Sequence, residues 1–321
     1  MFKVIDLAPE GKPEESVDIA RVAPPAKGTI RWIDLVGTDR AALDLLRERF
    51  GFHHLALDDC AHFQMRSKIE EYDGFLFVVL HTFTADPKVA QGVQVHEVHA
   101  FLTDDTLVTV HDNPLPAQQQ VWARALEDAA MLRRGPCWAL YMTADVMVDA
   151  VFPLLEQMGD ELERVEQALF ARPRKRELQQ IFRIKRSLVV MRRVAMTLRD
   201  AVGSLSRRGD PRVRERTALY FRDVHDHVLR CDEEIDEDLL LASNAMEAYR
   251  SAVTNRANDV MKSLTIMSAI FLPLSFIVGF WGQNFRDLPI GSHMQFWIMM
   301  GMIFSFPVGL LWWFKAKGWL K

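Results

Sequence analysis

Apolar residues change their spacing along this chain, and each regime predicts a different kind of element. Up to about residue 140 they come in short β-branched and aromatic runs: TIRWIDLVG at 29–37, GFLFVVLHTFT at 74–84, VHEVHAFLT at 95–103 and TLVTVHD at 106–112. Runs of this length and make-up predict strands, with Asp104-Asp105 turning the chain between the last two. Thr38-Asp39 caps a predicted helix running to Phe50, and a second helical pattern fills 115–134 until Gly135-Pro136 interrupts it.

Beyond residue 137 the period is helical and stays so. The stretch 138–170 carries Glu156, Asp160, Glu161, Glu163 and Glu166, and 175–205 answers with Lys185, Arg186, Arg192 and Arg193. Opposed charge on consecutive helices predicts an antiparallel hairpin turned at Arg172-Pro173-Arg174, although either face also suits solvent. Between Pro211 and Pro273 there is neither glycine nor proline. Continuous helix over that stretch would extend about 90 Å, and its apolar face needs partners, of which copies of the chain are the simplest.

The last regime is two apolar segments, 264–282 and 296–314, separated by a short loop. Each has the length of a membrane-crossing helix. The expected organisation is therefore α+β: a cytoplasmic α/β domain at 1–140, a helical hairpin at 141–210, a long stalk helix at 211–263, transmembrane helices at 264–282 and 296–314 around an outer loop at 283–295, and a basic tail at 315–321. Trp297, Trp312 and Trp313 suit the interfacial belt of the second span.

Charge adds orientation. Lys262 precedes the first span and Lys315, Lys317 and Lys321 follow the second, while the loop holds only Arg286 and Asp287. Positive residues stay inside, so both termini are expected in the cytoplasm of an inner (plasma) membrane. The N-terminus has no apolar run of signal-peptide length. Three scattered cysteines (Cys60, Cys137, Cys231) form neither a disulfide framework nor a zinc pattern. A net charge of −4 over 321 residues, with no basic aromatic-interleaved patch, gives no case for nucleic-acid binding. No nucleophile–base arrangement, P-loop or dinucleotide-binding glycine pattern supports an enzyme, and no cofactor is expected. His96-Glu97-Val98-His99 is not a zinc-protease motif, because in a strand its histidines point to opposite faces; His53-His54 lacks a partner motif.

Two spans cannot enclose a water-filled path, so transport would require a homo-oligomer. Steps of three and four along the first span give Asn258, Met261, Leu264, Ser268, Leu272, Ser275 and Gly279. Polar rings separated by apolar collars at Met261, Leu264 and Leu272 suit a pore that gates by dewetting; the small residues suit close helix packing in a bilayer equally well.

The sequence TNRANDVMKSLTIMSAIFLPLSFIVGFWGQNF at 254–285, followed by Leu288-Pro289, a second span and a terminal KAKGWLK, resembles the CorA family of divalent-cation transporters. YFRDVHDH at 220–227 and HTFTADPK at 81–88 extend the likeness upstream. The resemblance implies a homopentameric, funnel-shaped channel whose five first spans line the pore. It places Gly282, Gln283 and Asn284 at the selectivity mouth, Asn258 at a second polar ring, and Met261 and Leu264 at a hydrophobic gate. It also implies that Asp223 and Asp86 hold a regulatory cation between neighbouring subunits, favouring the closed state. Asp223 and His227, four apart on one helical face, form a weaker candidate chelate.

The implied cargo is Mg²⁺, with Co²⁺ or Ni²⁺ as relatives, which carboxamide oxygens can greet through its retained waters. Two departures pull toward zinc, transported by ZntB-type members of the same superfamily. Gln283 and Trp281 stand where magnesium members have Met and Tyr, and the loop LPIGS at 288–292 lacks an acidic residue. His293 is a softer ligand near that mouth. A membrane-anchored metal sensor is the alternative of another class.

Overall fold

A computed structural model describes residues 2–37, 39–90, 92–171, 174–207, 209–283 and 293–319. The chain divides into two compact units, Met1–Met246 and Glu247–Lys321.

The first unit is built on a seven-stranded sheet. Its strands are β1 (Phe2–Leu7), β2 (Glu14–Ser16), β3 (Ile30–Val36), β4 (Lys68–Tyr72), β5 (Phe75–Ala85), β6 (Val93–Leu102) and β7 (Thr106–His111), in the order β2-β1-β3-β7-β6-β5-β4. Every pairing is antiparallel except β3 with β7, which run parallel with Ile33 opposite Val108. The four strands predicted from sequence form, each within two residues of its expected ends.

The two-residue period of the strands sorts their side chains between two layers. Ile33, Leu35, Phe77, Val79, Phe101, Val108 and Val110 share one core with Leu43 and Leu46 of helix α1 (Arg40–Phe50) and Ala56, Leu57 and Cys60 of α2 (His54–His62). Asp39 caps α1 through the Ala41 N–H, as its sequence predicts. The opposite face is covered by α3 (Pro116–Glu127) and α5 (Pro136–Asp149), with α4 (Ala129–Arg133) between them in sequence. There the rings of Trp32 and Trp122 lie 4.9 Å apart, and the Thr82 hydroxyl donates to the Met147 carbonyl at 2.8 Å.

Three further helices complete the unit: α6 (Phe152–Ala171), α7 (Lys175–Arg207) and the first part of α8 (Glu215–Trp281). Helix α8 buries Thr217, Phe221, Val224, Val228, Cys231, Ile235, Asp238, Ala242 and Ala245. The steps alternate four and three, the period of a coiled-coil seam. Arg192 with Asp236 (3.0 Å) and Arg199 with Asp232 (3.0 Å) set α7 antiparallel to α8.

The predicted acidic–basic hairpin is thereby shared out. Glu161 of α6 takes Arg183 at 2.9 Å, but the arginines further along α7 turn to α8 instead. The helix expected over 138–170 is two helices, broken at Ala150-Val151 just before Pro153, which sits in the first turn of α6 where its missing N–H costs nothing. The boundary expected at 140 falls inside α5, because that helix packs on the sheet.

The second unit holds the remainder of α8 and α9 (His293–Ala316). The half-buried positions Ile266, Ile270, Pro273, Ile277 and Trp281 of α8, and Met299, Ile303, Pro307 and Leu310 of α9, recur at helical spacing. Ile277 shares a cleft with Ser305, Gly309 and Leu310. Lys262 lies 5.9 Å from the centre of the Trp319 ring, which stacks on Phe314.

Among the described residues, three helical stretches are long and apolar enough to cross a membrane: Pro136–Leu169, Glu215–Trp281 and His293–Ala316. The first spends its apolar residues inside the N-terminal unit, whereas the most apolar windows of the other two contain no buried residue.

Candidate metal-ion sites

The stripe predicted along the first span lies on the uncovered side of α8, which also exposes Met267, Phe276 and Val278. Asn258, Met261, Leu264, Ser268, Leu272, Ser275 and Gly279 are all exposed in the single chain, Met261 to 65%, Leu264 to 60% and Leu272 to 72%. The half-buried positions fall between them, on the side that shares the cleft with α9. Helix α8 ends at Trp281, and the Gly282 N–H still bonds to the Val278 carbonyl at 2.9 Å. Gly282 and Gln283 are exposed. Asn284 lies outside the described residues, as does most of the predicted outer loop.

Two further candidates, Asp86 and Asp223, lie in the N-terminal unit. Asp86 is half-buried at the start of the β5–β6 hairpin, where its carboxylate accepts from the Lys88 N–H at 2.8 Å. Asp223 is exposed on α8. Within one chain the two make no ion pair or hydrogen bond with each other among the described residues. His227 does not turn to Asp223. Its Nδ1 lies 3.0 Å from Oδ1 of Asp149 on α5, and Asp145, one turn earlier, completes a cluster whose ligand atoms all lie within 4.8 Å of one another.

Burial, and then the charge of Asp149, raise the Asp145 carboxyl above its usual range; Asp223 adds to this and His227 opposes it. The same acids, after burial, push the Tyr141 phenol up to about 12. Two carboxylates and an imidazole gathered this closely suit a divalent cation, although the charge of Arg124 also reaches Asp145. Asp145 and Asp149 escaped the sequence reading, although their spacing of four on a helix was a usable signal.

His81, His96, His99 and His111 are buried and serve the fold. His96 and His99 do face opposite sides of the sheet: His96 Nε2 lies 2.8 Å from the Thr84 hydroxyl, and His99 packs against Phe63 and Phe77. Glu97 bonds to His99 at 3.1 Å and to the Met65 N–H at 3.2 Å, with His81 at 3.6 Å. On the other face Asp34 holds His111 at 3.1 Å and Gln118 at 3.1 Å. Burial lowers the His111 pKa, but the hydrogen bond and charge of Asp34 outweigh it, and the net shift is upward. Cys60, Cys137 and Cys231 are free and buried.

The chain as a whole is similar to known proteins. The Bacillus subtilis (strain 168) protein YfjQ, a metal ion transporter by its name, is 30% identical over 325 residues, spanning 100% of this chain and 99% of its own. The cobalt/magnesium transport protein CorA of Thermotoga maritima is 30% identical over 310 residues, 95% of this chain and 88% of that protein. The complete CorA magnesium transporter structure from Methanocaldococcus jannaschii superposes with a TM-score of 0.83 at 18% identity, covering 99% of this chain and 98% of that one, so the sheet-plus-stalk fold is shared. With the pattern of the CorA-like Mg2+ transporter proteins matching residues 27–316, the chain belongs to the CorA family.

Proposed function

We propose that this protein is a divalent-cation channel of the inner membrane, working as a homopentamer with both termini in the cytoplasm. One observation carries the reading: the face of α8 that bears Asn258, Ser268 and Ser275 lies on the side α9 leaves uncovered. A lipid-anchored hairpin has no use for a polar stripe bracketed by apolar collars, whereas five copies turning that face inward make a narrow pore. Gly282, Gln283 and Asn284 then form the outer mouth and Asn258 the inner ring, with Met261, Leu264 and Leu272 as the dewetting collars. Carboxamides bind a hydrated Mg²⁺ through its waters without trapping it. Co²⁺ and Ni²⁺ are expected to share the path.

Regulation follows from repulsion. Asp145, Asp149 and His227 with the nearby Asp223, and Asp86 toward a neighbouring copy, repel while empty and are bridged when internal cation rises, which favours one arrangement of the funnel.

The test is ion uptake into proteoliposomes, in which Asn284→Ala is expected to abolish most Mg²⁺ flux; unchanged flux would remove the mouth from Asn284. Gln283, Trp281 and the acid-free LPIGS loop favour zinc as the second reading. Zn²⁺ flux driven by a proton gradient, with no Mg²⁺ flux, would select it. No flux of either ion, with metal-dependent protection from proteolysis retained, would leave a membrane-anchored metal sensor.

A further inference from the structure

The connection between α7 and α8, together with the first two turns of α8, borders a cavity of about 640 Å³ within the N-terminal unit. Its wall carries Arg207, Arg214, Arg216 and Arg222, against the acids Asp210 and Glu215. These charges do not cancel. Asp210 is held by Arg212, Nε to Oδ1 at 2.9 Å and Nη2 to Oδ2 at 2.9 Å, and its side chain is only 2% exposed. Arg214 donates to a neutral acceptor, the Arg134 carbonyl, at 3.0 Å. Among the described residues, Arg207, Arg216 and Arg222 have no ion-pair partner. Four guanidinium groups therefore share the space with one uncommitted carboxylate, Glu215.

Like charges gathered in a concave wall repel one another and focus a positive potential into the space between them. The turn at 209–213 and the first turns of α8 bring all four arginines to the border of one cavity, where each stays exposed to solvent and so open to a ligand. Guanidinium is also the cation whose planar fork matches phosphate oxygens two at a time. Pro211, Val213, Ala218 and Leu219 add an apolar part to the wall beside Ser206, with Leu219 57% exposed. The volume falls in the range of small-ligand sites.

We propose that this cavity binds a polyphosphate anion of the nucleoside di- or triphosphate class. Phosphates engage the arginines and the organic part lies on Leu219. Such a ligand ties Arg207, at the end of α7, to Arg216 and Arg222 at the start of α8, the helix that carries the polar stripe. The proposal does not depend on which ion the protein moves, or on whether it moves one.

Calorimetric titration of the full-length, detergent-solubilised protein with ATP and, separately, with inorganic triphosphate tests it, in EDTA so that no divalent metal bridges the partners. Saturable binding of both anions is expected, one per chain, weakening as salt is raised. The pair Arg216→Glu/Arg222→Glu should lower affinity for both by about tenfold or more. Arg216→Lys/Arg222→Lys keeps charge and surface character but loses the fork, and should lower it by less while leaving melting and elution unchanged. Absence of saturable binding for either anion overturns the proposal, and so does binding that neither arginine pair alters.

Discussion

His227 of α8 meets Asp149 of α5 at 3.0 Å across 78 residues of sequence, with Asp145 alongside. If this cluster takes the regulatory cation, its loss should uncouple metal from structure while leaving the protein folded. Asp145→Asn/Asp149→Asn keeps the shape and removes both charges. The apparent affinity for divalent cation, read as protection from proteolysis, should fall at least about tenfold. Equal protection in variant and wild type would take the cation elsewhere.

The three-helix layer makes a second contact testable. A Cβ at Gly203 of α7 would lie 2.9 Å from the His225 ring of α8, closer than side chains tolerate. Gly203→Ala is therefore expected to cost about 1–3 kcal/mol by overpacking, measured as a lowered urea midpoint. His225→Ala should recover much of that cost in the double variant, because the clash needs both groups.

Most of the architecture could be seen in advance, and the gaps have physical causes. β3, β5, β6 and β7 are buried and apolar, so composition declared them. β4 reads KIEEY and β2 reads EES: both are edge strands whose charged residues discourage pairing with other chains and erase the apolar signal. Pro153 marked the α5–α6 break, but the apolar period runs through it. In the sites, the stripe on α8 was legible because one helix carries all of it. The pairing of His227 with Asp149 was not, because it depends on how α5 packs against α8.

Glu97 gives a pH test. Burial alone would raise its carboxyl, yet hydrogen bonds from His81 and His99 and from the Met65 N–H pull it down to about 2 from 4.5. The folded state thus favours the ionised form. That contribution is complete above about pH 4.5 and is lost as pH falls toward 2. Glu97→Gln should flatten the acid limb of stability by about 1–3 kcal/mol, seen as a smaller difference in thermal midpoint between pH 5 and pH 3. An acid limb as steep as that of the wild type would contradict the assignment.

Asp238 has the opposite sign. It occupies one position of the apolar seam of α8, with Gly159 of α6 against its carboxylate. Burial first, then Glu234 and Glu237, push it up to about 6 from 3.8. The folded state therefore holds the proton more tightly, so stability declines as pH rises from about 4 and the loss is complete above about 6. Asp238→Asn should gain on the order of 1 kcal/mol at pH 7.5 and almost nothing at pH 4, less than a dry site would give because the helix surface is near. A gain independent of pH would assign the effect to packing instead.

The collars on α8 decide whether its uncovered face meets water or lipid. Leu264 is 60% exposed in the single chain, and both readings leave it so until other copies or lipid cover it. In a pore, Leu264→Asn adds a ring of polar groups at an apolar constriction, which lowers the cost of wetting and should raise basal divalent flux severalfold. Facing lipid, the same carboxamide would sit unpaired in hydrocarbon, and the cost would appear as poor insertion with no gain in flux. Met261→Asn, one turn earlier on the same face, should behave like Leu264→Asn. Met267→Asn, rotated off the stripe and 62% exposed, should instead lose yield without leaking. Flux that rises for Met267→Asn but not for Leu264→Asn would rotate the pore to another face of the helix.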